Sequence, residues 1–140
     1  MTLDNLLRTG NLKAEPPSVA EFLGLLNSAG LRLNDAHNAG LSLESRFDLA
    51  YNAAHALSLA ALRWHGMRCD NRYLVFQCLP LTVGAEPAVW RVLARCHQQR
   101  NLSEYEGSLD IDARLLADLL VAADWLLAAV KALPPCPQLP

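Results

Sequence analysis

Ser42-Leu-Glu-Ser-Arg-Phe-Asp-Leu-Ala-Tyr-Asn-Ala-Ala-His-Ala-Leu-Ser-Leu-Ala-Ala-Leu-Arg-Trp64 decides the fold class. Phe47, Ala50, Ala54, Leu57 and Ala61 step by three and four, which is the repeat of a helix and not of a strand. The Ser42–Ser45 stretch supplies a start, the pattern runs to about Trp64, and Gly66 supplies a stop. Alanine at so many stripe positions lets a neighbouring helix approach closely. Arg46, Tyr51 and Asn52 are the polar exceptions, suited to hydrogen bonds inside a bundle.

Working back from this helix, Ser18 is a good N-cap with Glu21 placed as in a capping box. Val19, Phe22, Leu23, Leu25 and Leu26 then follow at helical spacing. Leu31, Leu33, Ala36 and Ala39 extend the pattern towards Gly40, as one long helix or two halves with a bend at Gly30. Residues 1–17 are a lead-in. Leu3, Leu6 and Leu7 allow a turn or two of helix before Glu15-Pro16-Pro17, and the segment either packs on the body or trails in solvent.

Working forward, residues 71–79 form a short helix stopped at Pro80, with a loop to Ala85. Pro87 suits the first turn of the next helix, which runs through Val89, Leu93 and Cys96 to about Tyr105 and ends at Gly107. Ser108 or Asp110 is the expected cap of the last helix, striped by Leu116, Leu119, Ala123, Leu126, Val130 and Leu133. Pro134-Pro135 ends it, leaving 134–140 as a tail. The expectation is an all-α protein, an antiparallel bundle of four to five helices over residues 18–133.

Composition agrees. Hydrophobic residues are 52% of the 140, too many for a disordered chain, and aromatics are only 6%. The net charge of −2 is unevenly spread. Residues 63–100 carry six arginines against Asp70 and Glu86, whereas 101–140 carry two basic residues against six acids. A phosphate-bearing partner would therefore meet the middle third, unless these arginines are merely solvated helix faces. The four cysteines have no Cys-x-x-Cys spacing and the four histidines no His-Glu-x-x-His pair, so neither a zinc site nor any cofactor is expected. No signal peptide or membrane span is read, and the default expectation is a reduced cytoplasmic compartment.

Arg100-Asn101-Leu102-Ser103-Glu104-Tyr105-Glu106-Gly107 carries the chemistry. Arg100 lies at the end of the apolar stripe of Val89, Leu93 and Cys96. A guanidinium there cannot lose its charge, so it needs a ligand or an acid such as Asp48 or Asp118.

Taken together, the Arg46–His55 stretch on an alanine-rich helix, the short helix after it, the arginine-ended helix and the final amphipathic helix resemble the HEPN family, the nucleotide-binding domains of higher eukaryotes and prokaryotes. The family motif is an Arg, often followed by a polar residue, and a His after four to six further positions. Arg100 and Asn101 match its start, and Tyr105 stands where the His is expected. The resemblance implies a helical bundle that dimerises with the motifs of both protomers in one cleft. It implies either a metal-independent endoribonuclease, often a toxin of a toxin–antitoxin or defence system, or a nucleotide-binding partner of a minimal nucleotidyltransferase. Some related toxins are silenced by adenylylation of a tyrosine two places beyond the His; that place is Gly107 here, with Tyr105 the nearest hydroxyl-bearing aromatic.

In that chemistry a 2′-hydroxyl attacks the adjacent phosphate, and the protein stabilises negative charge and moves protons. The candidate catalytic residues are Arg100 for the phosphate, Asn101 as its assistant, and Tyr105 or His97 for the protons. Tyr105 is poorly suited as a base, because an ordinary phenol pKa of ~10 leaves a deficit on the order of 4 kcal/mol at neutral pH. His97, one helical turn before Arg100, offers the missing imidazole. Arg91 and Arg95, further back on the same helix, are candidates for tracking an RNA backbone. Two other readings are a non-catalytic HEPN module binding a nucleotide, RNA or protein partner, and a plain helical interaction protein in which Arg100 is only an ion-pair member.

Overall fold

In a computed structural model describing residues 1–107 and 111–137, with the side chains of 104–106 outside that description, the alanine-rich segment is the centre of the molecule. The order is α1 (Leu3–Arg8), β1 (Lys13–Ala14), α2 (Val19–Ala36), α3 (Leu43–Trp64), β2 (Met67–Arg68), α4 (Arg72–Gln77), α5 (Leu79–Thr82), α6 (Pro87–Glu106) and α7 (Ala113–Lys131). The protein is an all-α bundle. Twelve of the 22 residues of α3 are buried, on more than one face, because Ala53, Ala54, Ala56, Ala60 and Ala61 leave room for neighbours on several sides.

Side-chain contacts fix the directions of the long helices. Arg46 at the start of α3 donates to the Ala36 carbonyl at the end of α2 (2.8 Å), and Arg63 at the end of α3 reaches Glu21 at the start of α2 (2.6 Å). The two helices are therefore antiparallel. By the same logic α6 opposes α3, since His97 and Arg100 near its C-terminal end meet Tyr51 and Asp48 near the start of α3. The indole of Trp64 donates to the Pro134 carbonyl beyond α7 (3.0 Å), so α7 runs with α3. The main core gathers Phe22, Leu33, Phe47, Leu57, Phe76, Leu93, Leu116, Leu119 and Leu126 between these four helices.

The expected long helices are present, and α2 is one helix that ends at Ala36 rather than at Gly30 or Gly40. Three short helices raise the number to seven among the described residues, where four to five were expected. Pro80 does not stop the short fourth helix; it sits in the first turn of a further one, where its missing N–H costs nothing. The expected caps Ser108 and Asp110 lie outside the described residues, and Asp112 caps α7 by accepting from the Leu115 amide (2.6 Å).

Residues 1–17 pack on the body. Leu6 and Leu12 are buried against Leu62, Val75 and Cys78 in a second, smaller core. Lys13–Ala14 pairs antiparallel with Met67–Arg68, and Gly66, at φ +75°, makes the left-handed turn that brings β2 out of α3. The junction is held by charge. Arg63 is only 2% exposed and faces five oxygen atoms: Glu21 Oε1 (2.6 Å), the carbonyls of Pro16 (2.7 Å), Glu15 (2.9 Å) and Met67 (3.3 Å), and Glu15 Oε2 (3.3 Å). Arg68 adds pairs to Glu15 (2.8 Å) and Glu21 (2.7 Å). Two of the six arginines in the basic middle third are thus tied up in structure. The Glu21 carboxyl is held below the ordinary carboxylate value: burial pushes it up, but the hydrogen bonds and charges of Arg63 and Arg68 outweigh that.

Candidate functional site

The antiparallel crossing of α3 and α6, floored by α4, brings together Asp48 and Tyr51 from α3, Phe76 from α4, and His97, Arg100 and Asn101 from α6. Residues 97, 100 and 101 share a face because they are three and four apart. Tyr51 is buried to 2% exposure, edge-on to Phe47, with Phe76 at 5.9 Å between ring centroids. It is a buried post under part-exposed groups.

His97 is half-buried and held at both ring nitrogens. The Asn101 amide nitrogen lies 3.2 Å from Nε2 and the Tyr51 hydroxyl 2.9 Å from Nδ1; with the amide nitrogen as donor, the ring hydrogen is assigned to Nδ1 and faces the Tyr51 oxygen. This tautomer puts the basic lone pair on Nε2. Asn101, whose amide reaches that nitrogen, is exposed.

The Arg100 guanidinium lies 5.6 Å from the centroid of the Tyr51 ring and is ion-paired through Nη1 to Asp48 Oδ1. It keeps 32% side-chain exposure, and Asp48 46%. A polar cleft of about 410 Å³ opens beside the pair, lined by Ser42, Glu44, Ser45, Asp48, Arg100, Ser103 and Gly107. Arg72 of α4 approaches the Tyr51 ring as well, at 5.9 Å. Burial raises the Tyr51 pKa above its ordinary value, and the hydrogen bond and charge of Arg72 with the charge of Arg100 pull the other way without cancelling it. Tyr51 therefore remains a neutral phenol.

Three of the candidates chosen from sequence, His97, Arg100 and Asn101, come together. The Tyr105 side chain lies outside the described residues. Arg91 and Arg95 are exposed on other parts of α6: helix geometry puts Arg91 about half a turn around from Arg100, and its guanidinium lies 5.9 Å from the Trp90 ring. The sequence offered Asp48 or Asp118 as a partner for Arg100 and Tyr51 as a hydrogen-bonding residue; Asp48 pairs with Arg100 and the Tyr51 contact forms. Neither was read as part of a site, because each acts across about fifty residues of chain.

His55, one turn beyond Tyr51, packs edge-on to Phe76 at 6.0 Å. Its pKa is lowered to about 4, first by burial and then by the positive fields of Arg72 and His97. The unfolded chain binds this proton below about 6.5 and the folded protein only below about 4. The group therefore removes stability as pH falls from about 6.5 to about 4. Thermal melts across that range are expected to show a falling Tm in the wild type and a flatter profile in His55→Phe; equal slopes would refute the assignment.

Among the described residues, no three His, Cys, Asp or Glu side chains come together as a metal site. All four cysteines are free thiols, and burial pushes Cys78 up to about 11 and Cys96 up to about 12. Among the described residues no helix is long and apolar enough to cross a membrane. Compared with family models, curated proteins and solved structures, the chain matches none.

Proposed function

We propose that this chain is a HEPN-type RNA-acting protein whose site is the Tyr51–His97–Arg100–Asn101 cluster, and that its activity is metal-independent cleavage of RNA, as in the toxins of toxin–antitoxin and defence systems. The observation that carries the reading is the imidazole of His97, basic at Nε2, one helical turn from a part-exposed guanidinium. In the proposed step His97 Nε2 takes the proton of a 2′-hydroxyl as its oxygen attacks the adjacent phosphorus. Arg100 stabilises the charge gathering on the phosphoryl oxygens, and the bond to the 5′-oxygen breaks, that oxygen taking a proton from water. Tyr51 holds the imidazole in the required tautomer through Nδ1. His97 thus takes the part that the family motif gives to the residue at Tyr105.

The test is incubation of purified protein with total RNA and a tRNA pool in EDTA. Wild type is expected to yield fragments, and His97→Ala to lose about 10²-fold in rate. A His97→Ala protein that cuts like wild type removes His97 from the mechanism. No cutting by wild type removes the nuclease reading.

A second reading has its own support. Arg100 is already paired with Asp48, and both nitrogens of His97 are engaged. A pre-satisfied site of this kind suits a non-catalytic module that binds a nucleotide, RNA or a protein partner such as a minimal nucleotidyltransferase. Binding without cleavage in the same assay would select it. A homodimer, an antitoxin partner and a cytoplasmic location belong to the first proposal. The apolar strip of Val89, Val92, Val121 and Trp125 along α6 and α7 supports self-association.

A further inference from the structure

We infer that the site takes a single-stranded polynucleotide across at least two consecutive phosphates, with Arg72 as the second phosphate contact and Tyr73 as a stacking surface for a base. The inference rests on the proposed RNA reading and extends it to residues of α4.

The Tyr51 ring has guanidiniums on two approaches, Arg100 at 5.6 Å and Arg72 at 5.9 Å from its centroid. Both like charges therefore lie within 6 Å of one buried ring. Only Arg100 has a carboxylate: among the described residues, no acid is ion-paired with Arg72. Arg72 is exposed, and a bound anion is the natural complement to two neighbouring cations of which one is uncompensated.

Charge also sets the direction of the strand. On the far side of Arg100 the cleft carries Glu44 and Asp48, which repel a phosphate. On the α4 side the nearest acid in sequence, Asp70, lines a separate hollow with Lys13 and Arg68. A polyanion seated on Arg100 is thus led towards Arg72. Next along that path is Tyr73, half-buried, its ring 6.0 Å from that of His97 and tilted by 45°. An anchored, partly exposed aromatic that follows Arg72 in α4 and packs against His97 is an arrangement on which unpaired bases stack, whereas a base held in a duplex cannot reach it.

The experiment is fluorescence anisotropy at several salt concentrations with a labelled single-stranded oligonucleotide, its duplex, and AMP as competitor. The oligonucleotide carries 2′-O-methyl groups, which remove the attacking hydroxyl. Arg72→Ala is expected to weaken single-strand binding about tenfold at low salt and to reduce the salt slope by about the share of one phosphate. Tyr73→Leu, which fills the space without a π-face, is expected to lose about tenfold, and Tyr73→Phe to bind like wild type. Duplex and AMP are expected to bind at least tenfold more weakly than the strand. Circular dichroism melts establish that each variant is folded. Wild-type affinity and salt slope in Arg72→Ala, or equal binding of strand and duplex, would overturn the inference. If binding is lost in Arg100→Ala but kept in the Arg72 and Tyr73 variants, the RNA reading stands and this extension falls. If wild type binds no strand at all, both fall.

Discussion

Replacing Arg63 by alanine is expected to destabilise the protein by about 2–5 kcal/mol. The guanidinium is 2% exposed and satisfies three backbone carbonyls, those of Glu15, Pro16 and Met67, besides two carboxylates. Truncation takes the donor from those part-buried carbonyls and opens a void the size of the side chain. Arg68 still pairs with Glu15 and Glu21, so the carboxylates are not stranded; the loss lies in the carbonyls and the void. Arg63→Lys keeps the charge, but three donors on one nitrogen cannot replace a planar fork, so it is expected to recover only part. Urea unfolding measures the difference. Limited proteolysis of the first seventeen residues reports whether the N-terminal segment comes loose first. A loss below about 1 kcal/mol would show that the network is ornamental. Acid acts on the same junction. The Glu21 pKa is depressed in the folded protein, so its contribution is present above the ordinary 4.5 and is lost as pH falls through the lower folded value.

That junction was the least legible part of the fold. The apolar stripes of α3 and α7 are local and regular, and these helices form close to where the residues place them. The packing of residues 1–17 depends on Arg63 meeting partners 42 to 48 residues away, and no window of sequence contains such a contact. One signal was available. From Ala53 to Leu62 the only polar residues are His55 and Ser58, so the helix has no solvated face there. A helix apolar on several sides must be covered on several sides, and the N-terminal segment, through Leu6 and Leu12, is part of that cover.

The candidate site divides in the same way. His97, Arg100 and Asn101 lie within five residues on one helix face, and spacing alone brings them together. The groups that determine their chemistry come from elsewhere in the chain. Asp48 engages the guanidinium and Tyr51 fixes the imidazole, and both depend on α3 and α6 being antiparallel. Arg72 and Tyr73 belong to a run in which helix and strand read alike, so their place beside His97 follows from tertiary structure only.

On the proposed nuclease reading, Arg100→Ala is expected to lower cleavage about 10³-fold or more, while costing only about 1 kcal/mol of stability. The asymmetry follows from exposure. The members of the Arg100–Asp48 pair are 32% and 46% open to water, where an ion pair contributes little, and the contact with the Tyr51 ring adds only modestly. For Arg63 the order is reversed, because the guanidinium itself is buried, at 2% exposure. A phosphate in transit between four and five ligands gathers negative charge, and a guanidinium already positioned on Tyr51 meets it without reorganising. Arg100→Lys retains charge but not the bidentate geometry and is expected to recover only a small part. Asp48→Asn separates two roles for the carboxylate. If Asp48 orients the arginine, cleavage falls. If it competes with phosphate, RNA binds more tightly and with a steeper salt dependence. Urea unfolding and RNA cleavage on the same preparations decide the main point. A large stability loss in Arg100→Ala, in a protein whose wild type neither binds nor cuts RNA, would make Arg100 a second Arg63 and the chain a helical interaction protein.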